Sequence, residues 1–212
     1  MSSGTDTKKL LTIVVCLLLL AASITWIYLQ NRSKVDDTKN ASKPLESLGV
    51  VLAQETVKLV NGRGKVLLIT VANRVPAAKP QPEVSGFEKE LKKTAGITLV
   101  KEQVAQDGIE IPADQFVKML GRNRSADVVV SLVGCPVIKE GNLASLGEKT
   151  PKFICVAWSN AGIRGMLQQK LVELAVLARV TPAPNKTPVT ARDWFDNYFE
   201  IYTSANCASL PE

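Results

Sequence analysis

Lys65-Val66-Leu67-Leu68-Ile69-Thr70-Val71 is a short, nearly continuous apolar run. A strand with one face in water alternates apolar and polar side chains, so a run without alternation predicts a strand buried on both faces, as in a parallel sheet. On its carboxyl side lies Arg74 to Pro82, RVPAAKPQP. Proline fixes φ and lacks the N–H a ladder needs, so this segment is read as a loop at the strand's end. On the amino side, from Pro44, the residues Leu45, Leu48, Val51, Leu52 and Leu59 recur near i, i+3, i+4 spacing. That periodicity predicts a helix, with Asn61-Gly62 as its stop.

The cycle repeats downstream. Gly86 to Lys93 is predicted helical, Ile97 to Val104 a second strand, Pro112 to Arg122 a helix opened by Asp114, and Asp127 to Val133 a third strand. A loop around Gly141 to Thr150 leads to a fourth strand, Lys152 to Trp158, and Ser159-Asn160 stands as an N-cap pair before a helix over Ala161 to Leu171. Val172 to Val180, VELAVLARV, fits either a prolonged helix or a fifth strand. Pro182, Pro184 and Pro188 impose an extended loop, and Tyr198 to Thr203 is read as a late strand whose aromatics close the core. Strands alternating with helices imply right-handed βαβ crossovers, hence a three-layer α/β domain with a mostly parallel, Rossmann-like sheet.

The other decisive stretch is Leu10 to Leu29, LLTIVVCLLLLAASITWIYL, twenty residues without a charge. At about 1.5 Å per residue it matches a hydrocarbon core of roughly 30 Å. A secretory core of about 7–15 residues would end at a small-residue cleavage site, whereas Ala21-Ala22-Ser23 is followed by more apolar sequence, so an uncleaved transmembrane helix is expected. Trp26 and Tyr28 suit an interfacial belt and Cys16 is a small apolar residue within the span. The expected organisation is a tail at 1–9, a transmembrane helix at 10–30, a polar flexible linker at 31–43 and the α/β domain at 44–212. Lys8 and Lys9 precede the span while Arg32, Lys34, Lys39 and Lys43 follow it, so charge alone leaves the orientation open.

Composition excludes several chemistries. The net charge of +6 is spread without long basic blocks, which argues for general solvation and against a nucleic-acid surface. The chain contains no histidine, the commonest general base and metal ligand. Cys135, Cys155 and Cys207 are too scattered for a C-x-x-C motif, so no metal or cofactor is expected. Cys135 and Cys155, near adjacent strand ends, read first as buried apolar thiols and next as a structural disulfide. The carboxylates Glu83, Glu102, Asp107, Glu110 and Asp114 form no spaced pair for acid/base work. No enzymatic activity is expected.

The series Leu48-Gly49-Val50-Val51-Leu52-Ala53, Gly62-Arg63-Gly64-Lys65-Val66-Leu67-Leu68-Ile69, Ser85-Gly86-Phe87-Glu88-Lys89-Glu90-Leu91 and Gly96-Ile97-Thr98-Leu99-Val100 resembles one lobe of the type I periplasmic sugar-binding proteins. In that family a helix precedes a G-x-G-K-V strand, followed by a Gly-Phe helix and a G-I-x-V-V strand. The resemblance covers roughly residues 45–182 and implies that Val172 to Val180 is a strand and that the domain is exported across the inner membrane into the periplasm. Departures from the family pattern accompany it. Glu83 stands where an arginine commonly holds the sugar, Val133-Gly134-Cys135-Pro136 replaces an acidic or Asn-Asp pair, and a position near Ser159 replaces an aspartate. Roughly 165 residues beyond the anchor and its linker suffice for one lobe, whereas family members clamp ligand between two.

In an open parallel sheet ligands bind beyond the carboxyl ends of the strands. The candidate rim is therefore Asn73, Arg74, Gln103, Cys135, Trp158, Ser159 and Asn160. Ser159 and Asn160 either cap the following helix, the preferred reading, or expose its N-terminus to an anion with Arg74 as counter-charge. Two functions are expected from this sequence. The first is a membrane-anchored interaction or structural subunit with a protein partner or a second copy; the alternative is a membrane-tethered ligand-binding module or sensor.

Overall fold

The computed structural model describes residues 41–72, 81–104, 111–136, 150–180 and 187–211, together with Ser23. Apart from Ser23, the Leu10 to Leu29 stretch lies outside them, and among the described residues no helix is long and apolar enough to cross a membrane. The chain divides into two compact units, Met1–Ser42 and Lys43–Glu212, and the sheet belongs to the second.

Helix α1 (41–59) ends where Asn61 and Gly62 turn left-handed, at φ 52° and 74°, with the Gly62 N–H returning 2.9 Å to the Val57 carbonyl. Asn and Gly tolerate that conformation best, which is why this dipeptide stops the helix. There follow β1 (Gly64–Val71), α2 (Pro82–Leu91), β2 (Ile97–Val104), α3 (Ala113–Arg122), β3 (Val128–Ser131), β4 (Lys152–Ala157), α4 (Ile163–Gln168), β5 (Leu174–Ala178), α5 (Ala191–Tyr198) and β6 (Phe199–Tyr202), then a 3-10 turn at Cys207–Ser209. The sheet order is β2-β1-β3-β4-β5-β6. The first five strands run parallel and β6 is antiparallel to β5.

The apolar run of β1 has the predicted consequence. Val66, Leu67, Leu68 and Ile69 are all 0% exposed. Val66 and Leu68 pack with Leu48 and Leu52 of α1, Phe87 of α2 and Phe195 of α5. Leu67 and Ile69 pack with Phe116, Met119 and Leu120 of α3 and with Ile163 and Leu167 of α4. Fully burying each such side chain is worth about 1.5–3 kcal/mol, so both helix layers are anchored on a single strand.

The motif glycines carry a separate packing role. A Cβ on Gly49 of α1 would lie 1.9 Å from the Glu83 carbonyl of α2, and one on Gly86 would lie 2.2 Å from the Glu46 carbonyl of α1. The two helices approach backbone to backbone, each presenting a glycine to the other.

Several element limits differ from the sequence reading. Helix α2 begins at Pro82 instead of Gly86, with proline at its first position, where the missing N–H costs nothing. Asp114 does not cap α3; Pro112 holds that position and Asp114 pairs with Lys118 at 3.7 Å. Strand β3 stops at Ser131, whose hydroxyl donates to the Gly134 carbonyl at 2.7 Å and turns the chain. Helix α4 spans only Ile163–Gln168, and the ambiguous Val172 to Val180 run contains strand β5. Part of the aromatic tail is helix α5, opened by a capping box in which Thr190 Oγ1 accepts from the Asp193 N–H and Asp193 accepts from the Thr190 N–H.

Gly49→Ala should lower stability by about 1–3 kcal/mol or more, because neither backbone can yield without separating α1 from α2. Gly121→Ala, where the added Cβ meets nothing within 4 Å, should be neutral or stabilising by up to about 1 kcal/mol. Urea denaturation of the two variants measures both; equal effects would remove the special role of the helix crossing.

Candidate functional site

The connection from β1 through α2 leads to β2 on one side of β1, and the connection from β2 through α3 leads to β3 on the other. Helices α2 and α3 pack against opposite faces. The chain therefore leaves β1 and β3 in opposite directions at their carboxyl ends, and such a switch point leaves a crevice.

Of the residues expected to line it, Asn73 and Arg74 lie outside the described residues. Gln103 is exposed on edge strand β2, opposite Thr70 of β1. With three strand spacings between β2 and β4, it stands roughly 14 Å from the β4 line, so it does not join the group after β4. Trp158 follows β4 directly and is 55% exposed. An indole left in water at the carboxyl edge of a parallel sheet is the most conspicuous apolar surface of this rim.

Ser159 and Asn160 do not cap α4. Gly162, left-handed at φ 75°, occupies the N-cap position without a side-chain hydrogen bond. Ser159 Oγ instead accepts the Ala161 N–H at 3.2 Å, and Asn160 Nδ2 donates to the Pro211 carbonyl at 2.7 Å. Arg164 reaches the neighbouring Leu210 carbonyl at 2.7 Å. Two side chains at the start of α4 thus hold the chain's last described residues, around a surface hollow of about 250 Å³ lined by Asn160, Ala161, Arg164, Leu210 and Pro211. Arg164's role escaped the sequence reading because its partner is a backbone carbonyl 46 residues away, which leaves no local signal.

The segment after β3 closes on itself. Ser131 Oγ donates to the Gly134 carbonyl and accepts the Val133 N–H at 3.4 Å, and Gly134 takes a positive φ of 134°. This turn brings the half-buried Cys135 against the core that contains the buried Cys155 of β4. Burial pushes the Cys155 thiol well up, and its hydrogen bond and charge interaction with Cys135 push it further. Held as a thiol, Cys155 is a poor nucleophile. Both cysteines are free, so the structural disulfide considered from the sequence is absent. Among the described residues no group of three or more His, Cys, Asp or Glu is placed to hold a metal ion.

Glu83 sits in the first turn of α2, at the position the resemblance gives to a sugar-holding arginine. Its Oε2 is buried without a hydrogen-bond partner, and burial raises its pKa above the ordinary value of 4.5, with its own backbone N–H partly offsetting.

Solved structures share the fold. AraP, an arabinose-binding protein from Geobacillus stearothermophilus, superposes with a TM-score of 0.56 at 15% identity, over 77% of this chain and 62% of its own. An ABC transporter solute-binding protein from Burkholderia graminis in complex with D-arabinose gives 0.56 at 16% identity, over 79% and 62%. The fructose-binding periplasmic domain of a hybrid two-component system gives 0.56 at 13%, over 77% and 58%. What this chain shares with these sugar-binding proteins is the fold. This chain spans about six-tenths of the length of those structures. No protein-family model matches the sequence, and no curated protein sequence does.

A carboxyl whose folded-state pKa is raised favours folding most when protonated, so its penalty grows as pH rises from about 4.5 through the folded value. Glu83→Gln should therefore melt higher than the parent at pH 7.5, with the difference shrinking towards pH 4. A variant melting lower at pH 7.5 would show that the Glu83 charge has a stabilising partner.

Proposed function

We propose that the chain is a membrane-tethered ligand-binding module that receives a small polyol, of the monosaccharide class, at the carboxyl edge of its sheet. The observation that carries this reading is exposed Trp158 beside the β1/β3 switch point. A sugar ring presents an apolar C–H face to an indole while its hydroxyls need hydrogen-bond partners. Asn73, Arg74, Ser159 and the backbone turn at Gly134 to Pro136 are proposed to supply those partners, with Gln103 at the margin. The printed descriptions of AraP and of the fructose-binding domain, both sugar binders of the same fold, support the class. No bond-breaking chemistry is assigned to the domain.

Leu10 to Leu29 is proposed as the single lipid-embedded anchor, with the domain at 44–212 on the periplasmic side of the inner membrane. A neighbour described as a periplasmic domain of a two-component system supports that placement.

Two features favour a second reading, in which the same edge meets a protein partner or another copy of this chain. Glu83 replaces the expected arginine, and Asn160 is already engaged by Pro211. A surface with those groups withdrawn retains shape and Trp158 for a protein contact.

Thermal denaturation of the full chain in mild detergent, with pentoses, hexoses, nucleosides and anions in turn, separates the two. At a ligand concentration of 100 Kd the native state gains about 2.7 kcal/mol, which for a domain of this size raises Tm by roughly 5–10 °C. A sugar should give that shift, and Trp158→Ala should weaken its binding by about 1 kcal/mol, roughly fivefold. No shift with any sugar, together with a concentration-dependent dimer in light scattering, would transfer the function to protein contact.

A further inference from the structure

Lys43, Glu46 and Val50 stand three and four residues apart near the start of α1, on one side of that helix. Val189, Ala191 and Trp194, from the lead-in and first turn of α5, face them across a surface hollow of about 180 Å³. Helix α5 is fixed by its own contacts. Thr190 and Asp193 close its capping box, Arg192 pairs with Asp196 at 2.9 Å, and the Trp194 ring stacks on Tyr198 with centroids 6.3 Å apart. The neighbouring carboxylates, Asp193 and Asp196, are thereby engaged within α5, and the Ser47 hydroxyl donates to the Pro44 carbonyl at 2.6 Å.

The two charges of the hollow are left over. The Lys43 ammonium lies 5.7 Å from the centre of the Trp194 ring, and among the described residues neither Lys43 nor Glu46 makes an ion pair or a side-chain hydrogen bond. Both side chains are exposed, and Val189 beside them is 86% exposed. A cation and a carboxylate one helical turn apart, above indole and valine, complement a ligand that carries both charges on an apolar body.

We propose that this hollow receives the phosphoethanolamine headgroup of a membrane lipid. Lys43 takes the phosphate and Glu46 the ammonium, as charge-assisted hydrogen bonds, while Trp194, Val50 and Val189 meet the glycerol and the first methylenes. The choice of a lipid over a free zwitterion rests on the reading of Leu10 to Leu29 as an anchor. Helix α1 begins at residue 41, twelve residues past Leu29, a length that spans at most about 43 Å. A tether that short presents the hollow to lipid at high effective concentration, so a weak contact suffices. Occupation would turn the α1 and α5 side of the domain towards the bilayer, and none of the lining residues belongs to the Trp158 rim.

The full chain carrying Trp26→Phe and Trp158→Phe keeps Trp194 as its sole indole. In mild detergent, glycerophosphoethanolamine should move Trp194 emission to shorter wavelength saturably, whereas ethanolamine or glycerol phosphate alone at the same concentration should not. Glycerophosphocholine, whose quaternary nitrogen has no N–H for Glu46, should bind less tightly. Lys43→Gln and Glu46→Gln, both at exposed positions, should each weaken binding roughly two- to fivefold. In vesicles, phosphatidylethanolamine should give a larger shift than phosphatidylcholine alone, and a chain that keeps only Trp158 should not distinguish the two. A chain that floats with the vesicles while Trp194 responds to neither headgroup nor lipid would overturn the headgroup site and leave the anchor standing. A saturable response in detergent from a chain that does not float would overturn the anchor, and with it the lipid as the source. An equal response to leucine, or unchanged binding in both glutamine variants, would also overturn the proposal.

Discussion

A strand buried on both faces needs a covering layer on each side, and β1 imposes that demand on the rest of the chain. Val66 and Leu68 require one layer and Leu67 and Ile69 another, so helices must lie on both faces of the sheet. Helices on both faces come from crossovers between parallel strands, and two crossovers in opposite directions around β1 make the switch point. The location of a candidate ligand edge thus follows from the hydration cost of four adjacent side chains. The close crossing of α1 and α2 at Gly49 and Gly86 is a refinement of the same demand, since it seats Leu48 and Phe87 over Val66 and Leu68.

The edge itself combines an open part and a closed part. Trp158 is open to water, whereas Asn160 and Arg164 are engaged by carbonyls of Leu210 and Pro211. The turn after β3 presents backbone and a thiol where the sequence resemblance implies carboxylates or amides, and Glu83 is a carboxyl partly withdrawn from water. Recognition here would lean on ring stacking and backbone polarity more than on a converging set of charged side chains.

What the sequence made legible was whatever depends on period and composition. The β1 and β2 runs, the helix stop at Asn61-Gly62 and the parallel order all arise from local patterns, whereas the run containing β5 is ambiguous by period and is a strand by the family resemblance. The failures have a common cause in partners far along the chain or in competing caps. Ser159 and Asn160 have the right chemistry to cap a helix, but a left-handed Gly162 takes the cap and Pro211 takes the asparagine. Pro82 looked like the end of a loop because proline breaks strands, yet it equally begins helices. Helix α5 did carry a local signal, Thr190 three residues before Asp193, which the aromatic content of the segment obscured. The turn that packs Cys135 against the core depends on a side-chain hydrogen bond from Ser131 to the Gly134 carbonyl, and spacing alone does not encode it.

Amide hydrogen exchange resolved strand by strand tests the central position of β1 most directly. With β1 between β2 and β3 and covered on both faces, its amides should exchange only through global unfolding, together with those of β3 and β4, while those of edge strands β2 and β6 exchange through smaller openings. Exchange of β1 as fast as β2 or β6 would place it at an edge and contradict the account.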